Sequence, residues 1–255
     1  MRRLLLALAL LPIVALAGDD SGYVTLPGGT FRSALRYEDT GGQVKLAPFA
    51  LQRRPVTNAE FAAFVASHPQ WRRDRVAVMF AEVGYLRHWP ESARFSEGAA
   101  RQPVVNVSWF AAQAYCEAQG ARLPTWNEWE YAAAADATRF DARSDPVWRE
   151  SILGWYSRPS NAPLADVGMT PTNAYGVQDL HGLIWEWVDD AAGMLVSGDN
   201  RNQQDPDRLK FCGAGALSVD DRENYAVLMR VAMLSSLSAD DATGNLGFRC
   251  AKSMP

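Results

Sequence analysis

Asp179 and Glu186 stand at the two ends of a turn in the stretch Gly176-Val177-Gln178-Asp179-Leu180-His181-Gly182-Leu183-Ile184-Trp185-Glu186-Trp187. Carboxylates and carbonyls converging on a glycine turn suit a hard cation such as calcium. Trp185 and Trp187 frame the second acid and are large enough to clamp the loop to a core. The same twelve residues also read as an apolar strand with a capping Asp179 and an ion-paired Glu186. Three cysteines are the other chemically notable groups. They permit one disulfide, as Cys116–Cys212, Cys116–Cys250 or Cys212–Cys250, and leave one thiol over. Only His68, His88 and His181 supply imidazoles, and each is expected as a hydrogen-bonded residue rather than a ligand. No Gly-x-Ser-x-Gly elbow supports a serine hydrolase.

Positioning these groups falls to a chain of 255 residues. Its start has the form of a secretory signal peptide: Arg2 and Arg3, an apolar run over 4–14, then Ala15-Leu16-Ala17. Cleavage after Ala17 is expected, leaving 18–255 as a single periplasmic or secreted domain. The apolar run is short for a membrane span, no cysteine follows the cleavage site to carry a lipid, and no second run is long enough to span. Loss of the two arginines takes the formal charge from -4 to -6. That acidity argues against nucleic-acid binding, which leaves a basic patch. Nine Trp, 19 Gly and 14 Pro indicate a loop-rich fold pinned by aromatics.

Residues 18–50 read as β structure. Tyr23-Val24-Thr25-Leu26 leads through Pro27-Gly28-Gly29 to Thr30-Phe31, and 44–51 fits one further strand. Thr57-Asn58-Ala59-Glu60 and Thr125-Trp126-Asn127-Glu128 are capping boxes that open helices. Ser108 is placed to cap a third helix, stopping at Gly120. With Pro146, Pro159, Pro163 and Pro171, the region 140–175 reads as irregular. Residues 196–210 read as a polar exposed loop, and 225–233 as the last strong apolar run.

Several segments together resemble the formylglycine-generating enzyme, or sulfatase-modifying factor, family. They are Pro27-Gly28-Gly29-Thr30-Phe31, Pro55-Val56-Thr57-Asn58-Ala59-Glu60-Phe61, Val105-Asn106-Val107-Ser108-Trp109 and Ala114-Tyr115-Cys116. They continue as Arg122-Leu123-Pro124-Thr125, Glu128-Trp129-Glu130-Tyr131-Ala132, the 176–187 stretch and Thr243-Gly244-Asn245-Leu246-Gly247-Phe248-Arg249-Cys250. The resemblance implies an α+β fold, a variant of the C-type lectin-like fold with much irregular structure. It implies structural calcium held by Asp179, Gly182, Ile184 and Glu186. It places a second calcium site at Asn161 and the Ala162 carbonyl, where the family's aspartate falls on Gly168. It also implies the disulfide Cys116–Cys250, leaving Cys212 as the odd thiol.

The departure from the family concerns its chemistry. Formylglycine-generating enzymes hold copper on a cysteine pair just before the segment matching Arg230-Val231-Ala232. Here those cysteines fall near Ser218 and Ala226. Soft thiolates select copper(I), and Cys212 cannot replace both. Copper-dependent formylglycine generation is therefore not expected, and the sequence assigns neither copper nor iron. The His-x3-His-x-Glu iron motif of the ergothioneine-type sulfoxide synthases is also missing. The chain looks most like exported relatives without the cysteine pair, namely a pyoverdine-maturation protein and an accessory protein of copper nitrite reductase. The first expectation is an exported maturation or accessory factor, oxidative if catalytic, acting on a peptide or metalloenzyme partner. Its candidate residues are Cys212, Ser218, Asp221 and Arg222. The second is a non-catalytic, calcium-stabilised lectin-like binding module, with the 199–207 loop as its contact surface.

Overall fold

The computed structural model describes residues 22–34, 43–158, 162–191 and 225–254. The candidate residues Cys212, Ser218, Asp221 and Arg222, the 199–207 loop and Asn161 lie outside them. Strands β1 (Tyr23–Leu26), β2 (Gly29–Arg32), β3 (Gln43–Leu46) and β4 (Phe49–Gln52) come first. The expected single strand over 44–51 is two strands in two sheets. Pro48 lacks the N–H that a continuous ladder needs, and the chain turns there. The first strand, β3, pairs with β2; the second, β4, pairs with β1.

Three helices start where side chains satisfy their free N–H groups. In α1 (Asn58–Ser67) the Thr57 hydroxyl accepts from the Glu60 N–H, and the Glu60 carboxylate accepts from the Thr57 N–H. The box recurs at Thr125 and Glu128 for α3 (Trp126–Ala133). Ser108 caps α2 (Trp109–Ala118). A fourth helix, α4 (Pro146–Tyr156), runs through the stretch expected to be irregular. The Asp145 carboxylate accepts from Val147 and Trp148, and Pro146 sits in the first turn, where its missing N–H costs nothing. The 225–233 apolar run lies within helix α5 (Tyr225–Ser235). Two short strands, β5 (Trp185–Glu186) and β6 (Leu246–Gly247), pair in parallel, and β7 (Ala251–Ser253) adds to β4.

The main core lies between the β1–β4–β7 sheet and helices α1 and α2. Phe61, Tyr115 and Phe248 meet there, with ring centroids 5.3–6.0 Å apart. Cys116 and Cys250 are joined, with Cα atoms 5.5 Å apart, so α2 is tied to the segment entering β7. Among the described residues no helix is long and apolar enough to cross a membrane. The architecture is the expected α+β one, with small sheets and long irregular connections.

Candidate functional site

The site is built where β5 meets β6. Parallel pairing sets Trp185 opposite Leu246 and Glu186 opposite Gly247. Only glycine fits at 247: a Cβ there would lie 2.3 Å from the Val104 carbonyl oxygen. That close approach brings Arg249, two residues further on, against Glu186. The Arg249 Nε donates to Glu186 Oε2 at 2.7 Å and its Nη2 to Oε1 at 2.8 Å. Both side chains are fully buried. Nη2 also donates to the Gln178 carbonyl, and Nη1 to those of Gln52 and Arg53. All five guanidinium N–H groups are thereby used, joining the end of β4, the 178 turn and β5.

A second arginine sits on the other side. Arg230 of α5 lies over the Trp129 ring at 3.4 Å from its centroid and donates to the Glu186 carbonyl at 2.7 Å. Trp129 Nε1–H in turn donates to Glu186 Oε2 at 3.0 Å. Burial pulls Arg230 down to about 10, and Arg249 pushes the same way, whereas Glu186 opposes the drop. His181 meets the Trp129 and Trp148 rings edge-on at 5.7 and 5.6 Å. Its Nε2 lies 2.9 Å from the Ala133 carbonyl, which fixes the Nε2–H tautomer. Burial pushes its pKa down to about 4 and the two arginines contribute, so it is neutral near pH 7. It is the hydrogen-bonded residue expected, half-buried beside the two tryptophans.

Asp179 occupies the left-handed region, with φ of 60°, a conformation Asp tolerates better than most residues. Its N–H donates to the Thr170 hydroxyl at 2.7 Å, and that hydroxyl donates back to Asp179 Oδ1 at 2.8 Å. Oδ2 accepts from the Gly168 N–H at 2.5 Å. Asp179 thus holds the 168–170 segment.

The expected calcium ligands can now be compared with this geometry. Both Glu186 oxygens and both Asp179 oxygens already accept hydrogen bonds, and Glu186 is neutralised by a bidentate guanidinium. Among the described residues no three His, Cys, Asp or Glu side chains gather as a metal nest. In this arrangement Arg249 supplies beside Glu186 the positive charge that a calcium ion would bring there. At the second expected site Ala162 is exposed, and Gly168 uses its N–H on Asp179.

One face of this assembly reaches the surface. Trp155 and Tyr156 of α4 pack with Trp185 of β5, with ring centroids 4.7–5.4 Å apart, and all three are half-buried. Burial pushes the Tyr156 hydroxyl up to about 12, with Arg230 opposing. The aromatic face therefore lies near Arg230. Sequence reasoning found Trp185 and Glu186 but gave no role to Arg230, Arg249, Trp155 or Tyr156. The signal was present in the Gly247-Phe248-Arg249-Cys250 segment, where an arginine stands among residues of core character.

Short strands, irregular connections pinned by tryptophans and a disulfide to the last strand define a variant of the C-type lectin-like fold. The chain belongs to the family described as Sulfatase-modifying factor enzyme 1-like domain, which matches residues 15–254. It is 32% identical to a formylglycine-generating enzyme of Streptomyces coelicolor, covering 90% of this chain and 88% of that one. It is 30% identical to inactive C-alpha-formylglycine-generating enzyme 2 of Mus musculus, covering 92% and 87%. The solved structure of PvdO from Pseudomonas aeruginosa aligns over 91% of this chain and 94% of that one, with a TM-score of 0.49 and 21% identity.

Proposed function

We propose that this chain is an exported maturation or accessory factor of the formylglycine-generating enzyme family that captures a peptide or a metalloenzyme partner and does not generate formylglycine. One observation carries the reading. The Cys116–Cys250 disulfide uses two of the three cysteines, which leaves Cys212 alone and no thiolate pair for copper(I). One of the relatives named above is an inactive formylglycine-generating enzyme, so the family scaffold also occurs without the activity. The half-buried face of Trp155, Tyr156 and Trp185 supports capture, since aromatic residues with one wet edge are favoured at binding surfaces. The leader over 1–17 supports export, and Cys212, Ser218, Asp221 and Arg222 remain the candidates for any oxidative step.

Two measurements test this together. A cysteine peptide of the sulfatase type, incubated with the protein and copper(I), should yield no aldehyde by mass spectrometry. Aldehyde formed stoichiometrically with turnover would overturn the reading. A Trp155→Ala/Trp185→Ala variant should retain its fold by circular dichroism and lose capture of partners from the exported fraction. Full capture by that variant would move the contact surface elsewhere.

A further inference from the structure

We propose that Tyr131 and Tyr175 are a built-in oxidative cross-linking site, at which a peroxidase-type oxidant joins the two phenol rings into dityrosine. Tyr131 lies on α3, and Tyr175 lies in the turn over 173–177. Their ring centroids are 5.1 Å apart and the ring planes are tilted by 35°. The Tyr131 hydroxyl donates to the Gly28 carbonyl at 2.7 Å, so its oxygen is left to accept from the Tyr175 hydroxyl. Burial, this hydrogen bond to Tyr131 and the nearby Asp141 charge all push the Tyr175 hydroxyl up from its ordinary value. Bonded hydroxyls on two rings in contact bring the carbons beside each oxygen together. Those carbons carry the unpaired spin of a phenoxyl radical, and two such radicals couple there.

The backbone holds the pair in register. The Asn173 side-chain amide donates to the Ala132 carbonyl at 2.8 Å, and the Ala174 N–H donates to the Asp136 carbonyl at 2.7 Å. The turn is thereby fastened to α3 and to the residues just past it. Asn173 Oδ1 accepts from the N–H groups of Tyr175 and Val177, each at 3.0 Å. On the other side of Tyr175, Arg53 Nη1 donates to the Gly176 carbonyl at 2.8 Å. Two reacting groups fixed in this way meet without a diffusional encounter.

The surroundings favour the reaction. Both rings are half-buried, so an oxidant in solution reaches their edges. Tyr85 and Tyr115, by contrast, are buried in the core. Phe31, Phe49 and Phe140 are the other rings packed on the pair. Phenylalanine is much harder to oxidise than tyrosine, so these neighbours do not draw the radical away. The step balances with hydrogen peroxide as terminal oxidant. Each phenol gives up one electron and its hydroxyl proton. The two radicals form one carbon–carbon bond, and the hydrogens on the joined carbons move to the oxygens, restoring both hydroxyls. Peroxide takes up the two electrons and two protons and leaves as two waters. The product ties α3 to the turn that leads into Asp179 and Glu186, by a bond that thiol reductants do not cleave.

Treating the folded chain with a haem peroxidase and hydrogen peroxide tests the assignment. Dityrosine fluorescence should develop in the monomer, at a rate per chain that does not depend on protein concentration. Mass spectrometry of a proteolytic digest should return a cross-linked peptide pair containing residues 131 and 175. Tyr175→Phe keeps the ring and removes the reacting phenol, and it should lower the monomer fluorescence at least about tenfold. Failure of the 131–175 peptide pair to form in the parent overturns the proposal, whatever the stability of the variant. Undiminished monomer fluorescence in a folded Tyr175→Phe chain overturns it too. Fluorescence confined to covalent dimers places the reaction between molecules and overturns it as well.

Discussion

Replacing Glu186 by Gln tests the central arrangement most directly. The substitution keeps the shape and removes the charge. In the native chain Glu186 receives Arg249 at 2.7 and 2.8 Å and Trp129 at 3.0 Å, in a fully buried setting. A glutamine presents an amide N–H₂ to one of those donors, so a hydrogen bond becomes a donor–donor contact. Arg249 is then a buried cation without a counter-charge. Breaking a buried pair from one side costs about 3–5 kcal/mol, a large share of a typical stability of about 5–15 kcal/mol. At about 2–4 °C per kcal/mol for a chain of this size, the melting temperature should fall by roughly 10 °C. Urea unfolding followed by circular dichroism gives the free energy directly. A Glu186→Met/Arg249→Met double variant completes the cycle. Arg249→Met alone also frees the carbonyls of Gln52, Arg53 and Gln178, so the double variant remains destabilised. It should nevertheless be more stable than the sum of the single changes implies, by about 1–3 kcal/mol. A Glu186→Gln cost below about 1 kcal/mol, or strict additivity in the cycle, would refute the reasoning.

Three further outcomes follow from the same geometry. Removing the disulfide by Cys116→Ala/Cys250→Ala opens a loop spanning 134 residues, worth up to about 5 kcal/mol by chain entropy; the melting temperature should drop by about 10 °C, and a drop under about 2 °C would count against a structural role. Saturating calcium or a chelator should move the melting temperature by no more than about 1 °C, because a ligand stabilises only what it binds; a rise of several degrees with calcium would show that an ion displaces Arg249. Burial lowers His181 from 6.5 to about 4, so the unfolded chain takes up its proton first as pH falls. His181 therefore costs stability progressively from 6.5 down to about 4 and nothing further below. Between about pH 7 and pH 4.5, His181→Gln should lose less stability than the parent by on the order of 2 kcal/mol, and equal losses in urea titrations at the two pH values would exclude His181 as the cause.

Local signals in the sequence predicted local structure well. Thr57 with Glu60 and Thr125 with Glu128 are reciprocal caps, and each helix begins where its box stands. Asp145-Pro146 is an equally good start, an acceptor followed by a residue with no N–H to satisfy. It was outweighed by the prolines around it, and α4 was missed. The break at Ala47-Pro48 was missed for the opposite reason. Apolar residues on both sides continue the strand pattern across Pro48, and they pair in two different sheets. At the site, Asp179 and Glu186 were legible as paired acids around a turn. Their partners were not, because Arg249 reaches Glu186 only through the β5–β6 pairing, across 63 positions, and nothing local in either segment states that pairing.

The order in which the chain becomes available gives this clamp a kinetic meaning. Glu186 is made long before Arg249, and Cys116 long before Cys250. Strand β7, which completes the sheet beside β4, comes last. Contacts this distant in sequence form slowly, since loop closure precedes any gain from them. Until residues 246–253 arrive, both Glu186 carboxylate oxygens lack the Arg249 guanidinium, and burying them costs more. Until then the Glu186 carboxylate lacks the bidentate partner that accompanies it in the finished core. Removal of residues 246–255 takes away β6, Arg249, Cys250 and β7 together and should leave a chain that collapses without closing.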